Sequence, residues 1–137
     1  MRVRDAFILA GFVALADTAV KGFIKEPPVK NYGFAYNRYD RHPKEVALVS
    51  AALTGLMCAA TALSSEELRC PMSLILGGAL SNTADRLIRG YVVDYIPMGR
   101  KMYGNISDLA IFAGAAAGAA KYMLADDTHP HPEDAAV

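Results

Sequence analysis

The chain has 137 residues, the length of one domain, with 53% apolar and 20% charged residues and no net charge. Neutrality leaves no basic patch for a nucleic-acid partner. Cys58 and Cys70 form no CxxC and have no histidine nearby to complete a zinc pattern, so neither is assigned a chemical role and no metal is expected.

Four segments approach the ~20 mostly apolar residues that span a bilayer. The first runs from about Ala6 to Ile24. Arg2, Arg4 and the Ala14-Leu15-Ala16 run resemble a cleavable secretory signal. Apolar character nevertheless continues through Val20 and Phe23-Ile24, interrupted only by Asp17 and Lys21, so an uncleaved transmembrane helix is expected. Lys25 to Lys44, with Pro27-Pro28 and Gly33, reads as a polar loop with some extended character. Val46 to Leu63 is 18 residues without a charge. Ser64 to Arg69 is a tight link, which joins antiparallel neighbours.

The third segment starts near Pro71, with proline in the first turn, and turns polar at Ser81-Asn82 and Asp85-Arg86. Pro97 to Gly104 is a loop rich in turn residues. The fourth segment, Ile106 to Leu124, contains Gly114 and Gly118, a GxxxG spacing that lets helix backbones approach closely. Ala125 to Val137 reads as a disordered polar tail, and its His129 and His131 are given no metal role.

A soluble helical bundle needs a polar stripe of period 3.6 on each surface helix, and Val46 to Leu63 offers only Ser50, Thr54 and Thr61. The expected fold is therefore an all-α membrane protein. Residues 1–124 form a four-transmembrane-helix bundle whose polar first loop carries minor β structure, and 125–137 form the tail.

An ionisable residue at the bilayer centre costs at least ~2.5 kcal/mol, so it marks function by default. Here such residues gather, with two asparagines, at one end of an antiparallel bundle: Asp17 and Lys21 late in segment one, Asn82, Asp85, Arg86 and Asp94 around the end of segment three, Asn105 and Asp108 opening segment four. Asp17 and Lys21, four apart, share a helical face and read as a neutralising pair. Arg86 is placed to pair with a carboxylate across the bundle. Asn105 and Asp108 have the spacing of a capping box, which alone explains both. Asp94, after Tyr91-Val92-Val93, has no helix start to cap. Two carboxylates held together at the edge of a low-dielectric region cannot both ionise easily, so one keeps a proton while the other acts as base. No GxSxG, HExxH or glycine-rich phosphate loop offers a competing chemistry.

Two blocks carry a family resemblance. GGALSNTADRLIRGYVVDYI, Gly77 to Ile96, is similar to the G-x-x-x-N-x-x-D-R-x-x-x-G-x-V-V-D-F block of the lipoprotein signal peptidase (signal peptidase II) family. YGNISDLAI, Tyr103 to Ile111, is similar to its F-N-x-A-D-x-x-I block. DTAVK, Asp17 to Lys21, and NYGFAY, Asn31 to Tyr36, resemble the earlier D-Q-x-x-K and N-x-G-A-A-F segments. All four stand in family order. Ser81 occupies a position where glycine is usual, Ser107 one where alanine is frequent, and Tyr95 one where phenylalanine is usual. Only nine residues separate Lys21 from Asn31, a shortened first extracytoplasmic loop that marks a compact member.

The resemblance implies an aspartyl endopeptidase that cuts prolipoprotein signal peptides before a lipid-modified cysteine, with Asp94 and Asp108 as the catalytic pair. Asn82, Asp85, Arg86, Asn105, Asn31, Gly33, Asp17 and Lys21 follow as supporting or substrate-binding residues. It implies no cofactor, contact with membrane lipid, inhibition by globomycin, and a multi-pass place in the bacterial cytoplasmic membrane with the site near the extracytoplasmic face. Both termini would then lie in the cytoplasm. Arg2 and Arg4 agree with that orientation, whereas four Lys or Arg inside against seven outside oppose the positive-inside tendency. The alternative from another class is a non-enzymatic membrane protein whose carboxylates relay protons or ions.

Overall fold

A computed structural model describes residues 1–33 and 39–126. Phe34 to Tyr36 of the loop block, Arg38, and the tail from 127 on with His129 and His131 lie outside the described residues. The element order is α1 (Val3–Phe23), β1 (Val29–Asn31), α2 (Pro43–Leu63), α3 (Arg69–Arg89), β2 (Val92–Asp94), β3 (Ile96–Gly99), β4 (Met102–Gly104) and α4 (Ile106–Asp126). Each helix has 21 residues, about 30 Å of rise and so the thickness of a hydrocarbon core.

Burial runs opposite to that of a soluble bundle. Among the described residues only seven hydrophobic side chains are buried, against thirteen polar or charged ones. Phe12, Leu15, Phe23, Leu56, Leu63 and Phe112 stand mostly exposed. In α2 the few polar residues face inward: Ser50, Thr54 and Thr61 are buried while Leu48, Leu53 and Leu56 point out. The Thr54 and Thr83 hydroxyls meet at 2.8 Å and join α2 to α3. Such a surface is stable against lipid, where apolar side chains need no burial and polar ones must be satisfied within the protein.

Helices α1, α2 and α4 are long and apolar enough to cross a membrane, and α3 is not so by composition alone. Its position explains why. The other three helices each pack chiefly on α3, so its polar side chains face protein rather than lipid. Adjacent glycines make this close approach possible on two sides. A Cβ at Gly77 would meet the Ala10 carbonyl of α1 at 2.7 Å, and one at Gly78 would run into the Ser107 carbonyl of α4. The GxxxG of α4 is likewise spent inside the bundle, since a Cβ at Gly114 would lie 2.5 Å from the Pro71 carbonyl of α3. Gly90, at φ 80°, closes α3 with a left-handed cap.

The minor β structure lies at one end. β1 pairs antiparallel with β2, Val29 opposite Asp94 and Asn31 opposite Val92. β3 and β4 form a hairpin with an irregular register between Pro97 and Gly99. β1 thus ties the loop after α1 to the segment after α3, directly over the polar end of the bundle.

Candidate active site

Asp94 ends β2 and Asp108 lies in the first turn of α4, with the β3–β4 hairpin between them. Asn105 joins the two. Its Oδ1 accepts the Asp108 amide N–H at 2.9 Å, and Asp108 Oδ2 accepts the Asn105 amide N–H at 3.1 Å. This is the reciprocal capping box expected from the spacing. With its oxygen held by the helix start, Asn105 turns its Nδ2 toward Asp94 Oδ1, 2.9 Å away. Capping and site construction are therefore one arrangement.

Asn82 serves the other carboxylate. Its Nδ2 donates to Asp108 Oδ1 at 2.9 Å while its Oδ1 accepts from Lys21 Nζ at 2.9 Å. An ammonium can only donate, so Lys21 dictates which end of the amide faces Asp108. Asn31 Nδ2 donates to Asp94 Oδ2 at 3.2 Å, and the Gly33 amide holds Asn31 Oδ1 at 3.2 Å in a local turn. All four oxygens of Asp94 and Asp108 thus accept an N–H. Asp94 is only 3% exposed, and burial together with the Asp108 carboxylate pushes it up to about 6.

Both carboxylates line a cavity of about 810 Å³. Asn31, Asn82, Arg86 and Lys101 add polar groups to its lining, while Leu53 and Met57 of α2 and Ile111 and Phe112 of α4 form apolar walls. Met98, Met102 and Tyr103 of the hairpin border it as well. An apolar cleft with a few converging polar groups is the usual form of a ligand site.

Behind this cavity lies a second, closed cluster. Lys21 Nζ sits 2.7 Å from Asp17 Oδ2 and 3.0 Å from Asp85 Oδ2. The Asp17 and Lys21 side chains are 0% exposed. The expected isolated pair is thus a triad, because the ends of α1 and α3 converge and bring Asp85 to the same ammonium. Asp85 also accepts the Val93 amide at 3.1 Å and pairs with Arg89 at 3.3 Å, fastening β2 to α3 one residue before Asp94. Arg86 donates to the carbonyls of Gly33 at 3.0 Å and Asn82 at 3.4 Å, so it pins the first loop to α3.

Three residues that the sequence marks only as exchanges against the similar family, not as site residues, join the site. Ser81 and Ser107 donate to Asp17 Oδ2 at 2.8 and 2.6 Å, and Tyr95 donates to Asp17 Oδ1 at 2.8 Å. The available signal was that each adds a hydroxyl where the similar family usually has none. Among the described residues no group of three or more His, Cys, Asp and Glu side chains could hold a metal ion.

A family model described as signal peptidase (SPase) II matches residues 3–124. The chain belongs to the signal peptidase II family. It is therefore a peptidase, and the reading as a non-enzymatic relay is not favoured. The lipoprotein signal peptidase of Shewanella oneidensis is 32% identical over 120 residues, covering 80% of this chain and 71% of that protein. That of Alteromonas mediterranea is 46% identical over 57 residues, covering 39% of this chain and 31% of the relative. A solved bacterial membrane enzyme shares the fold, with a TM-score of 0.76 over 93% of this chain and 92% of its own at 19% identity.

Proposed function

We propose that this member of the family is an aspartyl endopeptidase of the bacterial cytoplasmic membrane that cleaves prolipoprotein signal peptides before a lipid-modified cysteine, with Asp94 and Asp108 as its catalytic pair. The observation that carries the reading is the pair itself: two carboxylates from different elements, bridged by Asn105, opening on one cavity. One carboxylate takes a proton from water as the water oxygen attacks the scissile carbonyl carbon. The other gives its proton to the carbonyl oxygen. When the tetrahedral species collapses, one of its hydroxyls returns its proton to the pair, the C–N bond breaks and the nitrogen leaves with the proton the pair took from water. Asn82, Asn105 and Asn31 hold the carboxylates, Gly33 and Arg86 hold the loop, and Asp17, Lys21 and Asp85 brace the helices beneath. Residues 1–124 form the peptidase unit.

The apolar walls on α2 and α4 suit acyl chains and the hydrophobic stretch of a signal peptide, and the same cavity is where a globomycin-type inhibitor would compete. The polar end is taken to lie at the extracytoplasmic face. With so short a first loop, binding rests more on lipid than on peptide contacts. Each buried methylene contributes ~0.8 kcal/mol, so partial burial of two acyl chains outweighs several peptide contacts.

The test is cleavage of matched precursors with and without the diacylglyceryl group by the purified protein, with the cut site mapped. The expected result is cleavage just before the cysteine, a steep fall in kcat/KM without the lipid, and inhibition by globomycin. Comparable kcat/KM for the two precursors overturns the lipid-led part of the reading, and absence of cleavage overturns the substrate.

A further inference from the structure

We propose that Tyr95 is a positioning residue of the catalytic pair, its hydroxyl clamping the segment that carries Asp94 to the helix start that carries Asp108, with Asp17 as the anchor. The inference rests on the reading of Asp94 and Asp108 as that pair. Tyr95 directly follows Asp94. Its hydroxyl donates to Asp17 Oδ1 at 2.8 Å and accepts the Ile106 amide at 3.3 Å. Ile106 is the first residue of α4, two before Asp108, and its N–H is one of those a helix start leaves without an intrahelical partner. The Tyr95 amide also donates to the Gly104 carbonyl at 2.8 Å. Residue 95 thus links α1 and the start of α4 through its side chain and β4 through its amide, directly after the Asp94 that ends β2.

The anchor is immobilised independently. Asp17 Oδ2 takes Lys21 Nζ at 2.7 Å, Ser81 Oγ at 2.8 Å and Ser107 Oγ at 2.6 Å. These donors come from α1, α3 and α4, so the carboxylate cannot turn without breaking contacts to three helices. Its Oδ1 is thereby left aimed at Tyr95. Burial and the bond to Asp17 push the Tyr95 hydroxyl above its ordinary range, so it stays protonated and keeps donating. Ser81, Tyr95 and Ser107 are the three positions where a hydroxyl stands in place of the residue usual in the similar family, and all three converge on one carboxylate. They act as a set.

Two acids that share a proton depend on their separation, and a misplacement of ~1 Å can cost ~10²-fold in rate. Removing the hydroxyl from Tyr95 frees Asp17 Oδ1 and the Ile106 amide together and lets the end of β2 drift from α4. Weaker repulsion between the carboxylates then lets the last shared proton leave at lower pH. The charged groups around the pair are Asp17 and Lys21 of α1, Asp85 and Arg86 of α3, and Lys101 of the hairpin turn, which lines the same cavity. All are retained in the variants below.

The experiment measures kcat, KM, Tm and the pH profile of kcat/KM for the full chain in detergent on a lipidated precursor. Tyr95→Phe is expected to lower kcat on the order of tenfold with KM little changed, and to move the alkaline limb of the profile to lower pH. Ser81→Gly with Ser107→Ala should move both in the same direction by less. A Tyr95→Phe protein with lowered Tm but parental kcat and limb overturns the proposal, because that is a purely structural role. If that variant does not fold, the double serine variant decides, and an unmoved limb there overturns the proposal equally. Asp94→Asn runs alongside: its inactivity with a parental Tyr95→Phe rejects the positioning role alone, and its activity rejects the catalytic pair on which that role depends.

Discussion

The polar end of the bundle holds two acid clusters that differ in their partners and in their access. Asp17 and Asp85 surround Lys21 with no more than 5% exposure and no opening. Asp94 and Asp108 are bridged by neutral amides and face a cavity. In the first, the cation and the hydroxyls satisfy the buried carboxylate oxygens and leave no room for a reactant. In the second, amide donors hold the geometry while burial and the neighbouring Asp108 carboxylate push Asp94 up to about 6. The same residue type is a brace in one cluster and, in the proposed function, a reagent in the other, and its partners and access separate the two roles.

The largest effects should come from neutral isosteres in the open cluster. Asp94→Asn and Asp108→Asn each remove a base while keeping shape, so turnover should fall by at least ~10²- to 10⁴-fold. Tm in detergent should stay near the parent or rise, because one of two repelling buried acids is gone. Near-normal turnover by either variant would break the division between the clusters at that position.

The closed cluster should respond in stability first. Lys21→Met leaves Asp17 and Asp85 without their shared cation, an expected cost of about 3 to 5 kcal/mol. Adding Asp17→Asn should recover part of that loss, and only part, because Asp85 retains Arg89 at 3.3 Å but not Lys21. Equal Tm for the single and double variants would mean that water reaches the site and that the cluster is not a brace.

Much of this was legible in the sequence. A charge is conspicuous inside an apolar run, which marks Asp17, Lys21, Asp85, Arg86, Asp94 and Asp108 as candidates, whereas Asn31 and Gly33 follow only from the family resemblance; all ten candidates lie at the polar end. The span limits for α1, α2 and α4 lie within three residues of the observed ones, since the length of an apolar run is what bilayer thickness constrains. α3 was read as a span from its apolar first half, and only its central position explains why the polar second half is tolerated. The β1–β2 ladder that carries Asn31 to Asp94 was not visible, because three-residue strands show no periodicity. Nor was the hydroxyl set on Asp17. Its members lie 64, 78 and 90 residues away along the chain, and each alone reads as a mild exchange in a conserved-looking block. The second role of Asp85, shared between Lys21 and the Val93 amide, was hidden for the same reason.

The smallest expected effect tests the open cluster from its outer edge. Asn31 donates to Asp94 Oδ2 at 3.2 Å and so favours the ionised carboxylate, against the burial and repulsion that push Asp94 up to about 6. If the active form carries one proton on the pair, kcat/KM of the free protein should fall as pH rises through the pair's last ionisation. Asn31→Ala removes a donor to the charged form, so the proton is held more tightly and that alkaline limb should move to higher pH. This is opposite in sign to Tyr95→Phe, which acts through separation rather than through a bond to the charge. The change in kcat should be a few-fold, as expected for one hydrogen bond to a charged group at the rim of the site. The two limbs can be compared on one lipidated precursor under one detergent. A shift of the Asn31→Ala limb to lower pH would show that water replaces the amide as a better donor, and that Asn31 shapes the loop rather than the charge of Asp94.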